Sequence, residues 1–538
     1  MTTLLSDLVH RSAEQRPGAT ALVYKSISLT YQEFTDRMAR AASGFLRHGL
    51  GRGERVGVYL EKRPETLAAL FGAASAGGTF VPINPVLRPH QVQHIVADCN
   101  VRILVTSPSR WAMLAAAKAD LPDLRLIVTV DAEDKRSLPT TVPMLPWTEL
   151  LDDDAPAPAP HRVLDTDMAA ILYTSGSTGL PKGVVLSHRN LSVGAESVCQ
   201  YLELVAEDRI LSVLPLSFDY GLNQFVSAFN VGATVVIMDY LVPADVIRWI
   251  EKERITGLGC VPPLWTQLAA LDWPSSAASS LRYITNSGGA MPRATLAKLR
   301  AKLPDTRVYL MYGLTEAFRS TYLAPEEVDK RPDSIGKAIP HAEVMVVRAD
   351  GTLCTPGEPG ELVHRGPLVS MGYWNDPLRT AERFRPAPTQ PREISLTEMA
   401  VWSGDTVRMD EDGFLYFVGR SDDMIKTSGY RVSPTEVEDV IHATGLVGEA
   451  VAFGVPHPVL GQGIVVAVTA GRTGPAPDGQ ALRDACRKVL PAYMVPQTVV
   501  TRTMLPHNPN GKLDRRSLFE EYRDLFALPE QEGSHHDG

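Results

Sequence analysis

The chain has 538 residues, too many for one hydrophobic core, so two or more domains are expected. Hydrophobic residues make up 44% and charged residues 21%, an ordinary balance for a globular enzyme. The net charge of −9 argues against nucleic-acid binding by bulk electrostatics, and five scattered cysteines without a CxxC pair exclude a disulfide framework or a zinc site and fit a reducing cytoplasm.

The opening residues show no cationic segment followed by an apolar one, and no apolar run reaches membrane-spanning length. A cytoplasmic chain without a membrane partner is therefore expected. Apolar and β-branched patterning predicts a strand over 55–60, a helix over 65–76 and a strand over 79–83. Residues 152–160, rich in Asp, Ala and Pro, read as a linker-like loop. Strand candidates at 169–172 and 183–186 bracket a Gly/Ser/Thr-rich loop. A second strand–helix–strand unit follows at 209–214, 222–229 and 234–238, and it echoes the first. Two such units with short connections imply two similar sheets with helices packed around them. From about 335 to 420 the texture changes to short alternating strands (343–347, 361–364, 413–417) between Gly and Pro turns, as in a small β-subdomain. A second boundary is expected near 419–426. Beyond it Ser433 as N-cap and Pro434 at the first position open a helix over 434–443, followed by strands at 450–453 and 463–470 and a helix over 481–490. The fold class is α/β. An N-terminal core is expected over 1–421, a smaller C-terminal α/β domain over 422–525, and a flexible tail over 526–538.

The loop from Tyr173 to Gly183 concentrates chemistry. Thr174, Ser175, Ser177 and Thr178 supply hydroxyl donors, and Gly176 and Gly179 let the backbone turn its N–H groups toward an anion. Lys182 adds a compact positive charge suited to phosphate. With strands on both sides the loop is a phosphate cradle of strand–loop–strand type. It lacks the Walker spacing, because Lys182 is followed by Gly183 and not by Ser or Thr. The plainer alternative is a Gly/Ser surface loop.

Further runs occur in a fixed order: Met311 to Ala317 (MYGLTEA), Trp402 to Asp405 (WSGD), Gly419 to Asp423 (GRSDD), Lys426 to Arg431 (KTSGYR) and Pro509 to Asp514 (PNGKLD). With the 173–183 loop, this ordered set resembles the adenylate-forming superfamily of acyl-CoA synthetases, luciferases and the adenylation domains of nonribosomal peptide synthesis, over nearly the whole chain. The resemblance implies that a carboxylate attacks the α-phosphate of ATP to give an acyl-adenylate and pyrophosphate, after which a thiol takes the acyl group and AMP leaves. An anion attacking a polyanion needs fixed positive charge and N–H donors, not a Ser-His-Asp nucleophile.

The resemblance also assigns residues. The 174–183 loop would hold the β- and γ-phosphates, Glu316 would help hold Mg2+, and Thr315 would lie beside the α-phosphate. Asp405 would accept from both ribose hydroxyls, Ser287, Gly288, Gly289 and Tyr312 would lie along the nucleoside, and Phe417 would stack near it. Arg420 would reach phosphate or ribose, and Arg431 belongs to the same nucleotide-binding set. Lys512 would enter from the C-terminal domain and bridge the substrate carboxylate and the α-phosphate; a solvated turn lysine is the plainer alternative. Asp422 matches the family's hinge, about which the mobile C-terminal domain would exchange Lys512 for the Lys426–Arg431 segment, with Gly429 lining the thiol tunnel.

Asp219 bears on which acid is activated. It lies in a run that aligns with the acyl-pocket segment, where amino-acid adenylation domains pair an aspartate with the substrate ammonium. It could equally cap the helix expected near Gly221. Tyr220, Asn223, Leu264, Thr285, Ser287, Met311, Arg319 and Ser320 are the further pocket residues expected, with Trp265 and Phe318 open to either pocket or core. Residues 218–224, 286–291 and 312–320 resemble free-standing L-prolyl adenylation enzymes, which load a discrete carrier protein in natural-product pathways. A sister group of acyl-CoA ligases shares this texture. The implied substrates are ATP and a small amino acid, L-proline first, and the implied acceptor is a phosphopantetheine thiol on a separate peptidyl or acyl carrier protein or on CoA. An AMP-forming acyl-CoA ligase for a small carboxylic acid is the alternative.

Overall fold

The computed structural model describes residues 4–527 except 118–119, 132–140, 153–157, 175–180, 392, 421–423, 428–429, 459 and 472–477. Most of the expected linker and nearly all of the expected tail therefore lie outside the described residues. One residue of that expected tail is packed: the Phe526 ring lies 5.0 Å from the His457 ring.

Among the described residues, three sheets organise the chain. Both predicted strand–helix–strand units form, each with its strands as parallel neighbours. Arg55–Tyr59 pairs with Thr79–Pro82 in a seven-stranded sheet, and Arg209–Ser212 pairs with Thr234–Ile237 in a 14-stranded one. Their strands are Val-, Ile- and Leu-rich and almost wholly buried, as parallel strands covered on both faces must be. The two connecting helices, Pro64–Ser75 and Asp219–Val231, meet through Phe71 and Phe229, whose rings stand edge-on at 5.3 Å. Phe34 of the helix Tyr31–Arg47 joins the same aromatic core. Lys62, 5% exposed, ties the two sheets together by donating to the carbonyls of Ser212 (2.7 Å) and Met238 (2.8 Å).

The expected 222–229 helix starts earlier, at Asp219, with Phe218 as N-cap and no side-chain cap. Asp219 is therefore inside the first turn and does not cap it. The expected 413–417 strand starts at Leu415, because Gly413 turns with φ +82°. Ser433 occupies the predicted N-cap, but its hydroxyl makes no capping bond. The β-subdomain is not a separate sheet. Ser334–Ala338 pairs with both Thr321–Leu323 and Leu415–Arg420, so the short antiparallel strands extend the second α/β sheet edge to edge. The third sheet has five strands, among them the long antiparallel pair Val447–His457 and Gly461–Ala470.

The N-terminal helix Leu5–Gln15 is tied down by His188, whose Nδ1 accepts from the Leu5 N–H at 3.2 Å. Burial pushes the His188 imidazole down to about 4, against the pull of Asp167, Asp7 and Asp165. The unfolded chain takes up this proton near 6.5, while the folded chain resists until about 4. Stability should therefore be flat above that range and fall as pH drops through it, by about 1.4 kcal/mol per pH unit from this group. His188→Gln keeps an acceptor and cannot titrate, so urea midpoints at pH 7 and pH 5 should lie closer together in the variant than in the wild type. An unchanged gap would exclude His188 as the cause.

Candidate active site

The strand Met168–Thr174 and its antiparallel partner Lys182–Ser187 form the predicted frame around the Gly-rich loop. Ser175, Gly176, Ser177, Thr178 and Gly179 lie outside the described residues. At the loop's mouth the buried Thr174 Oγ1 finds no hydrogen-bond partner among the described residues. A donor hydroxyl left idle there suits an oxyanion. On the other side of the loop, Lys182 Nζ donates to Glu316 Oε1 (3.1 Å) and to the Tyr373 hydroxyl (2.7 Å), which itself donates to Glu316 Oε1 (2.5 Å). Burial would raise the Glu316 carboxyl, but Lys182 and the Tyr373 hydroxyl outweigh it and hold it below the usual carboxylate range. The bonds from Lys182 and Tyr373 both fall on Oε1 of Glu316. No group of three acidic, His or Cys ligands stands together among the described residues. A single carboxylate fits Mg2+ held mainly by phosphate oxygens and water.

A second cluster joins distant strands. Tyr312, at the end of Arg307–Tyr312, donates a short hydrogen bond to Asp405 Oδ2, and the Phe417 ring lies 6.2 Å from that of Tyr312. Asp405 is 6% exposed and pairs in register with Arg420 across two antiparallel strands. The side chains of Arg420 and Arg431, and residues Asp422 and Gly429 entirely, lie outside the described residues. Thr315 and Glu316 sit in a short 3-10 turn after Tyr312, and this turn faces Lys182.

Lys512 comes from the far end of the chain on a rigid turn. Asn508 Oδ1 accepts from the N–H groups of Asn510 and Lys512 (3.0 Å each), and Asn508 N–H donates to Lys512 O at 2.7 Å. Asn84 of the first sheet's unit anchors this turn by donating to Pro509 O at 2.9 Å. The ammonium lies 5.0 Å from the Phe218 ring centroid. Gly288 must be glycine here: φ is +84°, and a Cβ would stand 2.9 Å from Lys512 Cε. Asn286 closes the Ser287–Gly289 turn by donating to Gly289 O at 2.9 Å.

Asp219 is 5% exposed. Burial pushes its carboxyl up, against the pull of Arg319 and then of Lys512. Tyr220 hydrogen-bonds Thr285 through both O (2.9 Å) and Oγ1 (2.5 Å). Beneath them lies a cavity of about 20 Å³, lined by Tyr220, Asn223, Thr285 and Met311 among the expected pocket residues, and also by Gln224, Ser227, Gly259 and Tyr283. That volume holds about one water. Leu264 packs in the main core, and neither it nor Arg319 nor Ser320 lines this cavity; the Arg319 guanidinium lies over the Tyr220 ring, 4.6 Å from its centre. Trp265 and Phe318 are fully buried in the core.

Three contributors had no motif to announce them. Tyr373 completes the Lys182–Glu316 corner, His364 Nδ1 meets Ser320 Oγ at 2.9 Å, and Asn84 holds the Lys512 turn. The Gly-Tyr-Trp-Asn run at 372–375 was the only visible signal for Tyr373.

Residues 9–374 match the AMP-binding enzyme family, and residues 436–512 match the AMP-binding enzyme C-terminal domain. Over 95% of its length the chain is 32% identical to a linear gramicidin synthase of Brevibacillus parabrevis, of which it spans only 6%. Over 94% of its length it is 31% identical to feruloyl-CoA synthase of an Amycolatopsis species, spanning 96% of that protein. Over 96% of its length it is 29% identical to the L-proline–[L-prolyl-carrier protein] ligase of Pseudomonas fluorescens, spanning 98% of it. ATP-bound MatB from Rhodopseudomonas palustris superposes with a TM-score of 0.84 at 25% identity, covering 98% of this chain and 100% of that one. The large α/β core with a smaller C-terminal α/β domain is the architecture of adenylate-forming enzymes. The chain belongs to the AMP-binding enzyme family, within the adenylate-forming superfamily that its motifs resemble.

Proposed function

We propose that the chain is an AMP-forming acid–thiol ligase that activates a small amino acid, with L-proline the first candidate, and passes it to a phosphopantetheine thiol on a separate carrier protein. One observation carries the reading: Lys512, from the C-terminal sheet's end of the chain, stands among Gly288, Phe218 and the field of Asp219. That is where a lysine would neutralise charge as a carboxylate oxygen bonds to the α-phosphorus and the bond to pyrophosphate breaks. Thr174, Lys182 and the loop between them would bind the β- and γ-phosphates, and Thr315 the α-phosphate. Asp405, Tyr312, Phe417 and the Ser287–Gly289 turn would bind the nucleoside. Glu316 would hold Mg2+, which neutralises phosphate charge, and Tyr373 would orient Glu316 and Lys182. Asp219 would pair with the substrate ammonium.

The thiol step would follow rotation of residues 422–525 against 1–421 about Asp422. Gly429→Leu is expected to stop thioester formation while ATP–pyrophosphate exchange continues, because a side chain would fill the thiol tunnel. Asp422→Pro should act likewise by fixing φ at the hinge. A normal transfer rate in either variant would exclude the rotation.

A second reading is an AMP-forming CoA ligase for a small carboxylic acid. The charge of Arg319 beside Asp219 supports it, since Asp219 then has a counter-charge without a substrate amine. ATP–pyrophosphate exchange driven by L-proline, other amino acids, cyclopentanecarboxylate and short fatty acids separates the two. Exchange with the amine-free acids as strong as with any amino acid would favour the second reading. Mass analysis of a carrier protein and of CoA after the full reaction identifies the acceptor.

A further inference from the structure

Arg319 is 2% exposed, and its Nε and Nη2 find no hydrogen-bond partner among the described residues. A buried guanidinium with idle N–H groups is costly. What the chain itself supplies is the face of Tyr220, 4.6 Å from the guanidinium, and the through-space charge of Asp219. The backbone is bent to hold it there. Phe318 has φ +56° and ψ −40°, and the Arg319 N–H donates to Ala317 O at 2.6 Å across it, which makes the strained form of the γ-turn. Such strain persists only when its surroundings fix it, and it clusters at ligand clamps. Both flanks are fixed here. The Phe318 ring lies against Gly194, where a Cβ would come within 2.5 Å of it, and Ser320 is held by His364.

We infer that Arg319 is a specificity determinant that hydrogen-bonds a second acceptor, a carboxylate or carbonyl oxygen, on the tail of the acid being activated. The inference rests on the adenylation site proposed above and narrows its substrate class. Lys512 meets the reacting carboxylate, so its charge is used there. Asp219 and Arg319 remain, one buried anion and one buried cation beside Tyr220. A substrate with only an amine satisfies the first and leaves the second idle. An acid bearing a tail acceptor satisfies Arg319, and one bearing both groups satisfies the pair. L-proline has no tail acceptor, so on this inference an acid that bears one takes its place as the first candidate named above.

Four acids of equal chain length test this: L-2-aminobutyrate, L-aspartate, butyrate and succinate, compared by kcat/KM in ATP–pyrophosphate exchange. A site built to donate hydrogen bonds rejects an analogue that lacks the acceptor strongly, so aspartate should exceed aminobutyrate, or succinate exceed butyrate, by about 100-fold or more. Arg319→Met should bring the preferred pair to within about 5-fold, and Arg319→Lys, which keeps the charge without the fork, should fall between. Acceptor-free acids, L-proline included, that match or exceed the acceptor-bearing ones in the wild type would overturn the inference without any variant. So would a preference that survives in Arg319→Met. The amine axis is separate. Succinate above both aspartate and butyrate counts against the amino-acid reading and supports the role of Arg319; aminobutyrate above both butyrate and aspartate does the reverse.

Discussion

Lys512→Ala is expected to cut adenylate formation by about 10²–10³-fold and to leave thioester formation from supplied acyl-adenylate close to the wild-type rate. The size follows from removing one fixed charge from a site where two anions must meet. The selectivity follows from the proposed rotation, in which Lys512 leaves before the thiol arrives. The turn that carries Lys512 supports a positional role rather than a merely electrostatic one. Asn508 ties the turn internally, Asn84 clamps it to the first sheet's unit, and the ammonium is set against the Phe218 ring. Lys512→Arg should therefore rescue poorly, because the Lys512 stem already crowds Gly288 and a forked guanidinium needs more room. Single-turnover assays of the two half-reactions check this. Equal loss in both halves would show that Lys512 stabilises the structure at large.

Asp219→Ala is expected to lower activation of the best amino-acid substrate by about 10³-fold or more, with nucleotide binding retained. Asp219 is buried inside the first turn of the helix Asp219–Val231, so helix capping does not account for a carboxylate there. An ammonium brought into the pocket without that carboxylate would be desolvated and unpaired, the situation that sites built for polar groups reject most strongly. The variant should also leave Arg319 without its neighbouring anion, so acids lacking an amine should lose less, or gain. The measurement is exchange driven by each acid, alongside ATP affinity by calorimetry. Equal loss for amino acids and for cyclopentanecarboxylate would remove Asp219 from amine recognition and leave it as a counter-charge to Arg319.

Local patterns in the chain were enough for the elements and for the order of the motifs. Val- and Ile-rich runs of four to six residues, punctuated by Gly and Pro, mark both parallel strand pairs, and the pairing of Arg55–Tyr59 with Thr79–Pro82 and of Arg209–Ser212 with Thr234–Ile237 follows from short connections. The strand–loop–strand frame around Lys182 was legible for the same reason, because apolar strands flank the loop on both sides. Helix starts were less legible. Asp219 reads as a cap because caps and first-turn positions draw on the same residue types, and only the backbone angle of Phe218 separates them.

Folding supplied what periodicity does not carry, namely which distant residues share a point in space. Tyr373 meets Lys182 and Glu316 because Trp374 N–H bonds to Gly183 O (2.7 Å) and Val185 N–H to Gly372 O (2.9 Å), laying the 372–374 segment along the loop's second strand. The β-subdomain merges with the second sheet through Ser334–Ala338, whose two edges were both open and whose sequence names neither partner. The aim of Arg319 depends on a γ-turn at Phe318, and a phenylalanine, unlike Gly, Asn or Asp, does not advertise a positive φ. Phe318 adopts it because its ring has one deep place to go, against Gly194 on a helix more than a hundred residues earlier. Burial of that ring compensates for the local strain, and this balance exists only once the two segments are packed together.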